Sequence, residues 1–196
     1  MKNYKKSIVL LAIFFTFLTI FFIIQTYAKY ISSANGETAI FIAKWNIKVN
    51  NKSIKTDTNI SSTIAPVFPG NENIASNILA PTAEGYFDLN FDFTDADVSF
   101  KYTITSSIAE NSPVKDFVIS GYSIDNGERI EFENYSNNSI SEDILLSSNV
   151  KNRSIRIFLK WIDDDSASMS NEEDTIATTS STPAICNVNI NFTQIV

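Results

Sequence analysis

Alternation of hydrophobic and polar residues is the dominant pattern in this chain, and residues 85–94 show it most clearly. Every second position there is apolar: Phe87, Leu89, Phe91 and Phe93. This period of two predicts a β-strand with one buried face and one face exposed to water. The pattern resumes from Val98 to Ile104, so we predict a hairpin that turns near residues 94–97.

The same period of two recurs in several other parts of the chain. The segments that carry it are residues 41–49, 118–124, 155–161 and 184–192. Asp125-Asn126-Gly127 follows the second of these and predicts a tight turn into a short strand at Ile130 and Phe132. Together the patterns predict about seven to nine strands.

The segments between the predicted strands are rich in polar residues. Residues 50–83 contain many Asn, Ser and Thr residues and three prolines, one of them in a Pro-Gly step, so they predict a long loop with one short edge strand near residues 60–65. Residues 163–182 are acidic and rich in serine, which predicts a second loop. Residues 141–148 predict a turn or two of helix with Ser141 as the cap. No sustained helical period follows residue 28.

The number and spacing of the strands predict the architecture of the body. Short strands joined by antiparallel turns are typical of all-β folds in which two antiparallel sheets pack as a sandwich. A closed barrel is the alternative. A barrel that spans a membrane is disfavoured because the outward positions of the strands are polar.

The first 28 residues depart from the alternating pattern. Three lysines in the first six residues precede an uncharged run from Ile8 to Ile24, interrupted only by two threonines. As a helix this run is about 26 Å long, and with residues 25–28 it is long enough to cross a bilayer. The preceding lysines predict a cytoplasmic N-terminus, so the rest of the chain is expected to be exported.

Two fates of this leading segment remain open. Thr26-Tyr27-Ala28 resembles a signal-peptidase site, whereas the apolar run is long for a plain signal peptide. Residues 1–28 are therefore either a removed signal peptide or a retained N-terminal anchor, followed by one β-sandwich domain over residues 29–196. The expected partners are the membrane and a signal peptidase. The expected location is the outer face of the cytoplasmic membrane, the cell surface or the medium.

Composition excludes several classes of function. The net charge is −7 and no basic cluster follows residue 6, which argues against binding of nucleic acid. The chain has no histidine, so Ser-His-Asp and Cys-His hydrolases and His-ligated zinc sites are excluded. Cys186 is the only cysteine, and its phase with Val188 and Ile190 predicts a buried, unreactive thiol. Asp88 and Asp92 share a flat strand face and are interpreted as ordinary outward residues. The chain is predicted to be non-catalytic.

The acidic stretch near residue 170 is the one candidate metal site. Its candidate calcium ligands are Asp163, Asp165, Glu172 and Asp174. Loop carboxylates are hard oxygen ligands of the kind that calcium prefers. The spacing departs from an EF-hand loop, because Ser168 stands where glycine is needed and Asp174 where a bidentate glutamate is usual. The alternative interpretation is a solvated acidic loop without metal.

Five short segments along the chain together carry a resemblance to a known family. They are Thr26-Tyr27-Ala28-Lys29-Tyr30-Ile31-Ser32, Ala43-Lys44-Trp45-Asn46-Ile47-Lys48-Val49, Leu79-Ala80-Pro81-Thr82-Ala83-Glu84-Gly85-Tyr86-Phe87-Asp88-Leu89, Leu159-Lys160-Trp161 before Glu172-Glu173-Asp174-Thr175, and Phe192-Thr193-Gln194. In these segments the chain resembles the camelysin/TasA-type family of Gram-positive surface and biofilm-matrix proteins.

The resemblance implies an Ig-like or jelly-roll sandwich at the cell surface, export by a dedicated type I signal peptidase, and assembly into fibres. The chain departs from the family pattern at Ala80-Pro81-Thr82, where members often have Pro-Gly-Thr. Some relatives are labelled metallopeptidases. That activity is not carried over, because this chain has neither histidine nor a zinc motif.

The expected function is that of a structural surface or matrix protein, with self-association by β-strand addition. Residues 38–43 suit the role of an added strand because they are apolar on both faces, although a central strand of the same sandwich would show the same pattern. A second hypothesis is a membrane-anchored monomeric binding module that presents residues 50–83 or 163–182 to a glycan, an ion or a protein. A third is an extracellular hydrolase that works without histidine.

Overall fold

The computed structural model describes residues 2–30, 42–135 and 138–195, which fall into two compact units, residues 1–41 and 42–196. The helices are α1 (Lys2–Tyr30) and α2 (Asn171–Thr178). The strands are β1 (Trp45–Val49), β2 (Lys52–Ser53), β3 (Glu84–Ala96), β4 (Phe100–Ile108), β5 (Phe117–Ile124), β6 (Ile130–Glu131), β7 (Asn138–Ile144), β8 (Asn152–Trp161) and β9 (Cys186–Gln194). Single 3₁₀ turns occur at Ser61–Thr63 and Leu146–Ser148.

Helix α1 forms the first unit, and its apolar part is Tyr4–Phe22 with a mean hydropathy of 1.9. Over Tyr4–Phe22 the apolar side chains lie on every face, so this part of the helix has no polar face of the kind found on the surface of a globular domain. The hydroxyls of Thr16 and Thr19 each donate a hydrogen bond of 2.8 Å to the carbonyl oxygen four residues earlier. The length and composition of α1 fit a membrane span and, equally, the helix of a signal peptide.

The second unit is a β-sandwich, as predicted. Its larger sheet has six strands in the order β2-β1-β3-β8-β5-β6, and its smaller sheet has three strands in the order β7-β4-β9. Every neighbouring pair of strands is antiparallel. The fold class expected from the alternating pattern is therefore confirmed.

The core lies between the two sheets and follows the predicted alternation. From the larger sheet it takes Phe87, Leu89, Phe91, Phe93, Ile155, Ile157, Leu159 and Trp161, and from the smaller sheet Phe100, Tyr102, Ile104, Ile140 and Ile144. Full burial of an aliphatic or aromatic side chain of this size contributes about 1.5–3 kcal/mol. Because the chain forms no internal disulfide, this packing is the main source of stability.

The predicted hairpin near residues 94–97 is wrong. Strands β3 and β4 belong to different sheets, so the chain crosses from one face of the sandwich to the other between them. Both edges of β3 are already paired, one with β1 and one with β8. The alternating pattern persists across the crossing because Phe93 and Phe100 both point into the core, with ring centroids 4.9 Å apart.

Two further predictions of local structure are corrected. Residues 141–144 belong to strand β7, which pairs with β4, and only Leu146–Ser148 forms a helical turn. The short edge strand expected near residues 60–65 lies instead at Lys52–Ser53. It joins β1 through Asn50-Asn51, whose φ values of 48° and 68° are those of the type I′ hairpin turn.

The predicted hairpin around residue 126 is confirmed. Strands β5 and β6 pair, and Asp125 and Asn126 have φ values of 50° and 59°. The Gly127 N–H donates to the carbonyl oxygen of Ile124 at 2.8 Å, which closes the turn. Gly121 allows the close pairing that follows, because a Cβ atom there would collide with the Ile130 carbonyl oxygen.

Candidate functional site

The edges of the two sheets differ in how well they are protected against pairing with another chain. Strands β2 and β6 at the ends of the larger sheet have two residues each, and β7 carries Glu142 and Asp143. Short length and charge are the usual protection of an exposed edge. Strand β9 has nine residues and contains no charge, no proline and no glycine. Among the described edges, β9 is therefore the one open to an added strand.

The backbone N–H and C=O groups of β9 point alternately to the two edges of the strand. At its two ends, the Ile195 N–H donates to Ser99 at 3.0 Å and the Ile185 carbonyl accepts from Ala109 at 2.8 Å. Alternate residues of an antiparallel strand bond to the same neighbour, so the odd-numbered residues of β9 bond to β4. The even-numbered residues direct their N–H and C=O groups to the other edge. No described residue forms a backbone hydrogen bond there.

A cleft of about 280 Å³ runs beside this open edge, between β9 and strand β1. Its apolar lining comes from Trp45, Val49, Ile54, Ile60, Val188, Ile190 and Phe192. The three residues from β9 are half-buried, and they are the residues whose backbone groups face the open edge. Apolar side chains and unpaired backbone groups therefore lie together. We call this combination the β9 groove.

The β9 groove has the geometry for binding an extended peptide. A strand laid beside β9 at the usual spacing of about 4.8 Å would pair with its free N–H and C=O groups. Alternate side chains of that strand would enter the apolar cleft, and the others would face solvent beside Asn189 and Asn191. This arrangement would contact a bound segment through backbone and side chains together.

The structure does not bring the four predicted calcium ligands together. Asp163 and Asp165 are exposed in the loop after β8, Glu172 is exposed on α2, and Asp174 is 6% exposed. In the described parts of the chain, no three acidic, cysteine or histidine side chains form a group that could hold a metal ion. Calcium binding by this stretch stays a prediction.

Most of this acidic stretch has local structural roles that the sequence analysis missed. The Asp116 carboxylate accepts hydrogen bonds from the backbone N–H groups of Ser168 and Met169 and fixes the loop. Ser170 caps α2 and forms a capping box with Glu173, in which each side chain bonds the other's backbone N–H. The predicted loop over residues 163–182 is therefore wrong at Asn171–Thr178, although the spacing Ser-x-x-Glu is a recognised start signal for a helix.

Asp174 is the buried acidic residue of α2, and we predict that Asp174→Asn stabilises the protein at pH 7. Its Oδ1 atom accepts no hydrogen bond from the described residues. Burial raises the pKa of Asp174, and the negative charge of Asp163 adds to this effect. A raised carboxyl pKa means that the charged form is disfavoured in the fold, so its cost is present above the folded pKa and disappears at low pH.

The expected gain is about 1 kcal/mol or less, which corresponds to roughly 2–4 °C in Tm. Thermal unfolding of wild type and Asp174→Asn at pH 7 and pH 3 measures it, with exposed Glu172→Gln as the control. The same measurement in millimolar calcium tests the predicted metal site. If Asp174 binds calcium, the ion should raise the Tm of the wild type but not that of Asp174→Asn. In millimolar calcium the substitution would then lower the Tm instead of raising it.

The remaining candidate residues lie in structural contacts. Asp88 forms two hydrogen bonds with Arg156 at 2.8 and 2.9 Å, and Asp92 pairs with Lys48 at 3.2 Å on the outer face of the larger sheet. This outward placement agrees with the prediction. Cys186 is half-buried rather than fully buried, and burial raises the pKa of its thiol to about 11. A pKa in this range keeps the thiol protonated at neutral pH, and its lack of reactivity stays a prediction.

Comparisons with known proteins identify no relative. No protein-family model matches the chain, and no curated protein matches it. The resemblance described above therefore remains an expectation, and the functional argument depends on the geometry of the fold.

Proposed function

We propose that this chain is an exported, non-catalytic structural protein of the cell surface or extracellular matrix, and that its sandwich self-associates by accepting a β-strand in the β9 groove. The observation that carries the proposal is the nine-residue uncharged edge of β9 beside an apolar cleft. Helix α1 supports the export step, because its length and composition suit a signal peptide or an anchor.

The floor of the groove favours insertion of a single segment. Trp45 and Val49 of β1, with Ile54 and Ile60 of the segment that follows, line the groove opposite the open edge. An extended segment has only one strand's width and fits beside this wall.

The donor strand predicted from the sequence is residues 38–43 of a second copy. Residues 38–41 lie outside the described residues, and Ile42 and Ala43 are separated from β1 by Lys44 alone. A segment of one copy that pairs with a different surface of the next forms a head-to-tail contact. Head-to-tail contacts produce filaments when the rotation between neighbouring copies does not close into a ring.

We expect Val188→Pro to weaken assembly and leave the fold intact. The N–H of Val188 faces the open edge, so proline removes a group that the partner needs and that β4 does not use. Val188→Ala is the matched control, because it removes the apolar side chain and keeps the N–H. Both variants lose about 1 kcal/mol of side-chain packing or less.

The measurement is negative-stain electron microscopy and light scattering of residues 29–196 over a range of concentrations. We expect the proline variant to assemble only at a protein concentration about tenfold higher than the alanine variant needs. This difference corresponds to about 1.4 kcal/mol of association free energy. Equal assembly of the two variants would show that the open edge is not used. If the wild type stays a compact monomer at every concentration, the proposal of self-assembly is contradicted and an anchored binding module is favoured.

A further inference from the structure

The outer face of the smaller sheet carries a regular array of uncharged polar side chains. The odd-numbered residues of β4, β7 and β9 point outward, because even-numbered neighbours such as Ile104, Ile140 and Ile190 pack in or against the core. The strands pair in register across this sheet. The array has one row of Ser141, Thr103 and Asn191 and a second row of Ser139, Thr105 and Asn189. We call these six residues the polar face.

The polar face continues at one end and is bounded at the other. Ser107 of β4 lies opposite Asn187 of β9 and extends the array by another uncharged pair. In the opposite direction, Lys101 and Asp143 form an ion pair at 3.9 Å. Neighbouring strands are about 4.8 Å apart, and side chains on one side of a strand repeat about every 6.8 Å. The array is therefore a two-dimensional grid of hydroxyl and amide groups.

The side chains of the polar face form no hydrogen bond or ion pair with any residue that the structure describes. All six are exposed except Thr103, which is half-buried. The outer face of the larger sheet differs, because Asp88 accepts a hydrogen bond of 2.8 Å from Arg156, and Ser154 donates one of 2.9 Å to Asn90. Those polar groups bind one another, whereas the donors and acceptors of the polar face are free for a ligand.

The composition of the polar face restricts the class of its ligand. It contains only serine, threonine and asparagine, so it lacks the cations that bind nucleic acids or anionic lipids. It also lacks the aromatic and arginine residues that anchor most protein partners. Its four rows on three strands cover roughly 400 Å², whereas a stable protein complex buries about 800 Å² on each partner.

The shape of the polar face gives a further restriction. A small molecule is usually bound in a concave pocket that encloses most of its surface. The open side of a sheet instead suits a long ligand that contacts several rows in succession. The ligand that fits both restrictions is extended, neutral and rich in hydroxyl groups.

We propose that the polar face binds a neutral polysaccharide. Sugar hydroxyls donate and accept hydrogen bonds, as do the hydroxyls of Thr103 and Thr105, and each asparagine amide offers two donors and an acceptor. The side chains are short and stand on paired strands, so they lose little conformational freedom when they bind. Binding by one copy of the chain does not require self-association.

Self-association would strengthen this binding. Hydrogen bonds that replace bonds to water each add only modestly to affinity, so one copy binds weakly. A filament would repeat the polar face along its length, and a polysaccharide that contacts several copies would be held roughly 10²- to 10⁴-fold more tightly. This gain, unlike the binding itself, rests on the proposed self-association.

Affinity electrophoresis of the full chain in a non-ionic detergent tests the proposal. The native gels contain one of three neutral polysaccharides, which are hydroxyethyl cellulose, dextran and mannan, or the anionic polysaccharide alginate. The net charge of −7 moves the chain toward the anode, and binding to the immobile polymer slows it. We expect a neutral polysaccharide to slow the wild type and alginate to have no effect, because like charges repel.

Thr103→Val with Thr105→Val is expected to raise the Kd for the neutral polysaccharide about tenfold, the effect of losing two ordinary hydrogen bonds. Valine keeps the shape and the strand preference of threonine. Thr103→Ser with Thr105→Ser is the matched control, because it keeps both hydroxyls and should bind as the wild type does. Thr94→Val, at an exposed position of β3 in the larger sheet, should also change nothing. Circular dichroism verifies the fold of each variant.

Three results would overturn the proposal. They are a wild type that no neutral polysaccharide slows, a valine variant that binds as tightly as the wild type, and stronger binding to alginate than to the neutral polymers. The gels are run at concentrations where light scattering detects only single copies. The result is therefore independent of self-association, which Val188→Pro tests separately.

Discussion

Replacing Phe100 with alanine is expected to lower the free energy of unfolding by about 3–5 kcal/mol, the usual cost of deleting a buried aromatic side chain. Phe100 is 1% exposed and lies on β4 of the smaller sheet. Its ring centroid lies 4.9 Å from that of Phe93 and 5.6 Å from that of Trp45, both on the larger sheet, and 6.1 Å from that of Phe192 on β9. The substitution therefore opens a cavity between the two sheets.

Urea unfolding followed by circular dichroism measures this loss. Phe158→Ala is the matched control, since Phe158 is half-buried on the outer face of β8 with the Arg129 guanidinium 4.5 Å from its ring. We expect the control to cost about 1–2 kcal/mol. Similar losses for the two substitutions would mean that the sheets do not depend on the aromatic cluster around Phe100.

Glu142→Gln is expected to have the second-largest effect, because Glu142 links the two sheets through charged hydrogen bonds. It lies on β7 of the smaller sheet and accepts hydrogen bonds of 2.7 Å from Arg153 of β8 and 2.7 Å from the Tyr102 hydroxyl. The guanidinium of Arg153, chiefly through these hydrogen bonds, holds the pKa of Glu142 below its usual range. Hydrogen bonds to charged groups contribute about 1.5–3 kcal/mol, so a loss of this size is expected at pH 7.

The pH dependence of this loss has a definite sign. A carboxyl whose folded pKa is lowered contributes stability at pH values above its unfolded pKa, and that stability is lost as the pH falls through the folded pKa. The difference between wild type and Glu142→Gln should therefore be largest at neutral pH and shrink below about pH 4. Urea unfolding at pH 7 and pH 3 measures it.

Asp143→Asn on the same strand is the control for the loss of charge alone. Asp143 is exposed and lies 3.9 Å from Lys101, a surface ion pair of the kind that contributes less than about 1 kcal/mol. The difference in unfolding free energy between wild type and Glu142→Gln could instead stay constant from pH 7 to pH 3. That result would mean that Arg153 does not hold the Glu142 carboxylate ionised.

The sequence predicts those parts of the fold that depend on local periodicity. Strands β3 and β8 are predicted because side chains alternate between the two faces of a strand, so burial of one face leaves an apolar residue at every second position of the sequence. The false hairpin between β3 and β4 arose because the same alternation is compatible with pairing in one sheet or with facing across two sheets. Which of these occurs depends on β1 and β8, which pair with both edges of β3 and are distant in sequence.

The candidate site is only half visible in the sequence. The absence of charge over residues 186–194 is a local signal that β9 is unprotected, and the alternation of Val188, Ile190 and Phe192 shows that one face is apolar. The cleft is not visible, because its other wall comes from β1 and the loop after it, more than a hundred residues earlier. The link between Glu142 and Arg153 is hidden for the same reason, since it joins two sheets.

The length of β9 and the alternation of its backbone groups also bear on resistance to mechanical force. The hydrogen bonds that β9 offers at its open edge lie side by side along the strand axis. Tension applied along a bound segment would load all of them at once in shear, whereas tension across the edge would peel them one after another. A filament built through β9 should therefore be strong along its donor strands and weaker to forces that peel neighbouring subunits apart.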